Sequence, residues 1–246
     1  MAAPDRRAPA AVPWVAMYHS VGHCAEDPYR VTVTPERLEK QLRWLRRRGL
    51  RGVSVAELLA ARARGEGHDL VGLTFDDGYA DFLTGALPVL RRTGCTATLF
   101  VLPGRLGGDN AWDPLGPRKS LLTADGIRRA ADEGVEIGSH GLTHLDLTTA
   151  DDLTLKAETV ESRTRLAGLL GAEPDGFCYP YGTIDRRAVD AVREAGYVYA
   201  CAIDPGPLNG VHALPRVHVG EKDNSPRLYL KYRLHRLRRR PVEGLR

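Results

Sequence analysis

Short runs of β-branched and aromatic residues recur along the chain. Each is followed by a polar or glycine-bearing loop and then by a stretch in which apolar positions return every three or four residues. The apolar runs predict strands at PWVAMYHS (13–20), GVSV (52–55), LVGLTFDD (70–77), TATLFVL (96–102), VEIGSH (135–140), GFCYP (176–180), YVYACAI (197–203) and ALPRVHV (213–219). Between them lie amphipathic stretches such as TPERLEKQLRWLRRRG, which predicts a helix capped by Thr34, opened by Pro35 and stopped at Gly49. Gly94, Gly134, Gly171 and Gly196 stand in the same place before later strands, where a helix ends in a left-handed residue. Repeated strand–loop–helix units of this kind predict a parallel α/β domain.

Composition narrows the class without changing that picture. With 246 residues, 43% hydrophobic and 27% charged, the chain has enough apolar material for one large core. No fixed-period repeat or low-complexity linker divides it. The expected organisation is a flexible N-terminus (1–11), one domain (12–220) and a basic tail (221–246). No apolar run approaches the roughly 20 residues of a membrane span, and the first residues lack a secretory apolar region, so the expected location is the cytoplasm. Cys24, Cys95, Cys178 and Cys201 form no CxxC pair and are expected to be reduced, packed thiols. The net charge of +4 is uneven, because residues 227–246 carry eight Lys or Arg and one Glu. Leu230, Leu234 and Leu237 lie at helical spacing among those arginines, which suits a helix lying on an anionic membrane surface. A solvated, partly disordered chain end is nevertheless the first expectation for this segment, and nucleic acid is a weaker alternative.

In parallel α/β folds chemistry collects at the carboxyl ends of the strands. Those ends deliver His19, then Asp76 and Asp77, then His140, then Pro180-Tyr181-Gly182. His140 and His144 form an HxxxH spacing that lets two imidazoles meet one ion if the segment turns helically after its strand. Two histidines and one carboxylate leave a position open for water, the arrangement of hydrolytic zinc. Neighbouring carboxylates raise one pKa unless a cation compensates, and side chains of successive strand residues diverge. One Asp can therefore bind the ion while the other takes a proton from water. The long loop GRLGGDNAWDPLGPRKS (104–120) is either functional or a surface excursion.

The motifs Thr74-Phe75-Asp76-Asp77-Gly78 and His140-Gly141-Leu142-Thr143-His144 resemble those of the NodB-homology polysaccharide deacetylases, the family-four carbohydrate esterases. The resemblance runs over about residues 14–203. It implies a distorted (β/α) barrel of about seven parallel strands that removes acetyl groups from N-acetylated sugars or glycans with a divalent metal. Zinc is the expected ion, with cobalt, nickel or manganese as alternatives. Carried over by position, it implies Asp76 as general base and Asp77, His140 and His144 as metal ligands. The third family motif, RxPYG, appears as Cys178-Tyr179-Pro180-Tyr181-Gly182, so its arginine is missing. Pro180 fixes the backbone there, and the Tyr181 N–H is expected to face the developing oxyanion.

Met17-Tyr18-His19-Ser20 resembles the branch that carries its acid histidine early, including deacetylases of poly-N-acetylglucosamine. His19 is the expected general acid, with His218 as competitor, and Arg216 is the candidate replacement for the missing arginine. Trp112 is a candidate wall for a sugar ring, and Pro180 and Tyr181 are expected to touch substrate with it. The alternative reading is a module of the same fold that binds metal and glycan without turnover. A two-metal phosphoesterase fits poorly with a single Asp-His-His set. With no GxxxxGK[ST] loop and no GxSxG elbow, nucleotide and serine hydrolysis are excluded.

Overall fold

The structure is a computed structural model that describes residues 12–237. Its strands are β1 (Val15–Tyr18), β2 (Ser20–Val21), β3 (Thr32–Val33), β4 (Arg51–Val53), β5 (Leu70–Phe75), β6 (Thr98–Val101), β7 (Glu136–Ser139), β8 (Gly176–Cys178), β9 (Tyr199–Ala202), β10 (Leu214–Pro215) and β11 (Val217–His218). The helices are α1 (Pro35–Arg46), α2 (Val55–Ala63), α3 (Ala86–Thr93), α4 (Ala124–Asp132), α5 (Asp152–Lys156), α6 (Ser162–Leu170), α7 (Arg186–Glu194) and α8 (Ser225–Leu237). A π-helical turn (Ala157–Glu161) joins α5 to α6.

The main sheet runs β10-β9-β8-β7-β6-β5-β1-β11, with β4 attached to β5. Every pairing is parallel. Its two terminal strands, β10 and β11, are separated in the chain by Arg216 alone. The last strand therefore begins beside β9, where Leu214 pairs with Cys201, and ends beside β1, where Val217 pairs with Ala16. Counted as one interrupted strand, it gives the seven staves of a nearly closed barrel. β2 and β3 form a separate pair at its rim.

Alternation along the strands divides the side chains between two layers. In β5, Val71, Leu73 and Phe75 face the helices, where they pack with Leu38, Leu42, Leu87 and Leu90. Thr74 and Asp76 belong to the opposite row. Inside the barrel Val15, Phe100, Cys178, Tyr199, Cys201 and Leu214 fill the lower part. The thiols are free, and those of Cys178 and Cys201 are buried. α1 starts as its sequence predicts: the Thr34 side chain accepts a hydrogen bond from the Arg37 N–H, and Pro35 opens the first turn. Left-handed Gly94 and Gly171 terminate α3 and α6.

The C-terminal segment differs from the expected solvated end. Residues 225–237 are helical, and Leu228 enters the core. Tyr232 packs against Trp14 and Trp44, with ring centroids 5.3 and 6.4 Å apart. Burial of these apolar rings holds the helix despite its charge. Leu230 and Leu234 remain exposed on it. The expected flexible residues 1–11, residues 238–246 and the side chain of Leu237 lie outside the described residues. No described helix is long and apolar enough to cross a membrane.

The docking of α8 can be measured. Leu228→Ala is expected to cost about 2–4 kcal/mol in urea unfolding, whereas Leu230→Ala stays within about 0.5 kcal/mol. Equal costs at the two positions would contradict the packing described.

Candidate active site

The upper mouth of the barrel holds a cavity of about 200 Å3, walled in part by His19, Asp76, Asp77, His140, His144 and Arg216. Asp76 lies one residue beyond β5 on its inward row and is only 2% exposed. Its Oδ1 accepts a 2.7 Å hydrogen bond from Arg216 Nη1, which also donates to Thr74 Oγ1 at 3.0 Å. Arg216 Nε donates to the Ala202 carbonyl, so the guanidinium is held from three sides. Burial pushes the Asp76 carboxyl up, but Arg216, His19 and His140 outweigh it and hold it below the ordinary carboxylate value. His19 Nε2 stands 3.8 Å from Asp76 Oδ2. Cys178, at the position of the missing motif arginine, leaves room for Arg216. Its thiol, kept protonated by burial, donates to Asp76 Oδ2 at 3.7 Å.

Asp77 turns away from its neighbour because its backbone is left-handed, with φ of 71°. Its Oδ1 thereby reaches His140 Nε2 at 3.2 Å and His144 Nε2 at 3.3 Å without forming a regular hydrogen bond. His140 Nδ1–H donates to the Cys178 carbonyl at 2.8 Å, which turns Nε2 toward Asp77. Burial opposes the charge of Asp77, and the two imidazoles overcome it, holding the carboxyl well below its ordinary value. The set fits a divalent ion. Tetrahedral bonds of about 2.0–2.1 Å put ligand atoms about 3.4 Å apart, close to the two separations found, and the buried Asp77 oxygen otherwise lacks a satisfying partner. Asp76, His140 and Cys178 also offer donor atoms within 4.8 Å of one another. The guanidinium on Asp76 makes that second set unsuitable for a cation.

The HxxxH segment is not helical, contrary to the expectation from its spacing. Residues 140–147 form an irregular loop with left-handed Gly141 (φ 81°) and His144 (φ 68°). What shapes it is Glu158, buried on the π-helical turn. Its Oε2 accepts from Leu142 N at 2.6 Å and Thr143 N at 3.1 Å, and its Oε1 accepts from the Thr143 hydroxyl. A Cβ at position 141 would lie 2.7 Å from Glu158 Oε2, so the clamp requires glycine there. Ser139 and Ser162 hold the Gly141 amide and carbonyl.

The rim is built from separate loops. Trp112 stacks on His144 with ring centroids 4.3 Å apart and planes at 15°. Tyr181, left-handed with φ of 59° and half exposed, meets the same imidazole edge-on, with ring centroids 4.6 Å apart. The long loop bearing Trp112 is clasped to the β2–β3 pair: Lys119 Nζ donates to Ser20 Oγ at 2.5 Å and Thr32 Oγ1 at 2.7 Å, and Leu115 N donates to the Tyr29 hydroxyl. Pro180 is buried beneath the rim, and the cavity wall runs through Tyr179, Tyr181 and Gly182 without it. His218 lies outside the wall of this cavity, its ring bonded to the Arg30 carbonyl, whereas His19 faces Asp76. Glu158 and Lys119 carried no sequence signal, since a helix-borne Glu and a loop Lys are ordinary surface residues until the fold buries the first and half-buries the second.

The polysaccharide deacetylase family profile matches residues 63–200. The YxkH protein of Bacillus subtilis (strain 168), which bears a polysaccharide deacetylase name, is 27% identical over 86% of this chain and 72% of its own length. The poly-β-1,6-N-acetyl-D-glucosamine N-deacetylase of Escherichia coli (strain K12) is 25% identical over 86% of this chain, but the match spans only 36% of that protein. Among solved structures, the Streptococcus pyogenes deacetylase PplD in complex with acetate aligns with a TM-score of 0.75 at 23% identity, covering 90% of this chain and 98% of that one. At that identity the likeness speaks for the fold.

Glu158→Gln is expected to weaken zinc binding by about 10–100-fold, read by competition with a fluorescent chelator, while circular dichroism keeps the native spectrum. Unchanged affinity would show that the clamp does not position His144.

Proposed function

Since the chain belongs to the polysaccharide deacetylase family, we propose that it removes the N-acetyl group from an N-acetylated sugar or glycan by metal-assisted hydrolysis. One observation carries this reading: a buried carboxylate and two imidazole nitrogens converge beside a second buried carboxylate that has its own arginine. Asp77, His140 and His144 are the proposed ligands, and mixed nitrogen and oxygen donors favour zinc, with cobalt, nickel or manganese as substitutes. A divalent ion bound there supplies Lewis-acid polarisation and a water of lowered pKa, near 7.

The remaining steps belong to the chain. Asp76, kept ionised by Arg216, accepts a proton as water adds to the acetyl carbonyl. Arg216 also fixes the carboxylate so that Oδ2 is the oxygen left facing His19. The Tyr181 amide is the proposed donor to the oxyanion of the tetrahedral intermediate. His19 then gives a proton to the departing amine, releasing acetate and a free amino sugar. Placement of its ring 3.8 Å from Asp76, inside the cavity that His218 does not line, supports His19 over His218 as the acid. Trp112 and Tyr181 flank His144 and form the proposed sugar-facing wall. The name of the Escherichia coli relative makes a β-1,6-linked N-acetylglucosamine oligomer the first substrate to try.

Zinc-loaded protein is expected to release acetate from that oligomer, and chelation to stop the reaction until zinc is restored. Asp76→Asn and His19→Ala should each lower kcat by about 10²–10⁴, with His218→Ala within a few-fold of wild type. Full activity in Asp76→Asn, or a loss in His218→Ala equal to that in His19→Ala, would sink the assignment.

A further inference from the structure

Next to the barrel mouth lies a second, larger cavity of about 420 Å3. The two are separated by the β2–β3 rim and by a pair of histidines. Val31 lines the first cavity and its neighbours Arg30 and Thr32 line the second. His19 belongs to the first and His218 to the second, with ring centroids 6.3 Å apart.

The charges around the second cavity are unequally committed. Each of its acids is already engaged by protein donors. Asp27 accepts from the amides of Val31 and Thr32, at 3.1 and 2.8 Å. Glu221 accepts from the Thr34 amide at 2.8 Å. Asp223 accepts from the Gly220 amide at 2.8 Å and from Lys231 Nζ at 2.6 Å, which also commits that lysine. Arg30, Lys222 and Arg227, by contrast, make no side-chain hydrogen bond or ion pair among the described residues, although all three line the cavity. The lining carries four cations against three acids, and the three groups left uncommitted are all cations.

Arg30 adds an independent sign. Among the described residues only four that are not glycine have positive φ: Asp77, His144, Tyr181 and Arg30. The first three wall the candidate active site. Arg30 holds φ of 58° at the second cavity, and its carbonyl is fixed by the His218 ring at 3.1 Å. Such backbone conformations are costly for a side-chain-bearing residue and persist where the surroundings enforce them, most often at ligand sites.

We propose that this cavity binds a phosphate ester, with Arg30, Lys222 and Arg227 as its cationic ligands. Three separate cations around a concavity suit a group bearing more than one anionic oxygen, and guanidinium forks match phosphate geometry bidentately. Two sources share that chemistry. One is a phosphate carried by the N-acetyl sugar itself, a version that rests on the deacetylase reading above. The other is an anionic phospholipid head group, because α8 bears Arg227 together with exposed Tyr229, Leu230 and Leu234.

The test uses the full zinc-loaded chain and the exposed double variant Lys222→Glu/Arg227→Glu. Calorimetric titration with inorganic pyrophosphate should show binding that weakens at least tenfold in the double variant and persists in Asp77→Ala, which separates this cavity from the metal set. If the double variant also loses a KM advantage of N-acetylglucosamine 1-phosphate over N-acetylglucosamine at unchanged kcat, the ester is the substrate's. If it instead stops pelleting with phosphatidylglycerol vesicles, phosphatidylcholine serving as the blank, the ester is a lipid head group. Loss of pyrophosphate binding alone supports a free phosphate ester. No binding to wild type, or equal binding to the double variant, overturns the proposal. The titration reads the cavity even if no N-acetyl sugar is hydrolysed, so the two readings fail separately.

Discussion

Two carboxylates adjacent in sequence and both shut away from water repel each other unless each finds its own counter-charge. Asp76 and Asp77 meet that demand by parting company. The first stays on the inward row of β5 and faces Arg216, while the second reverses its backbone and faces two imidazoles. Everything else at the barrel mouth serves this separation. Thr74, on the same row as Asp76, steadies the arginine, and the small Cys178 side chain leaves space for it.

Backbone strain is concentrated where that separation is enforced. Asp77, His144 and Tyr181 adopt a conformation that costs an ordinary side chain energy, and each is over-determined by neighbours. For His144 the enforcing group is Glu158, which replaces the missing helical hydrogen bonds of the 140–147 loop with three of its own. Trp112 closes over the same imidazole, held there by a loop that is tied through Lys119 to the rim. Rigid support of this kind would hold the proposed ligand atoms in place for an ion and lower the ordering cost of binding it.

The strand cadence and the polar strand ends were legible because both follow from local rules: alternation, caps, and the placement of loops at carboxyl ends. Asp76, Asp77, His140, His144 and His19 could be named for that reason. The Arg216 contact was open to inference only because the third motif lacks its arginine. Glu158 and Lys119 could not be read, since their roles depend on which distant backbone they meet. The spacing of His140 and His144 suggested a helical turn, but Gly141 and the Glu158 clamp impose another path. The Leu230 and Leu234 pattern was visible as an exposed stripe, whereas the docking of Leu228 and Tyr232 beneath it required knowing where Trp14 and Trp44 lie.

The barrel closes through a strand that changes neighbours at Arg216, and this has a bearing on the order in which the site can come into being. A chain emerging from the ribosome presents both aspartates and both imidazoles long before residue 216. Until then Asp76 lacks its guanidinium, and enclosing it would favour the neutral acid over the anion. The residue at which the sheet closes is thus also the one that supplies the guanidinium to the carboxylate, so the two depend on the same short stretch of chain.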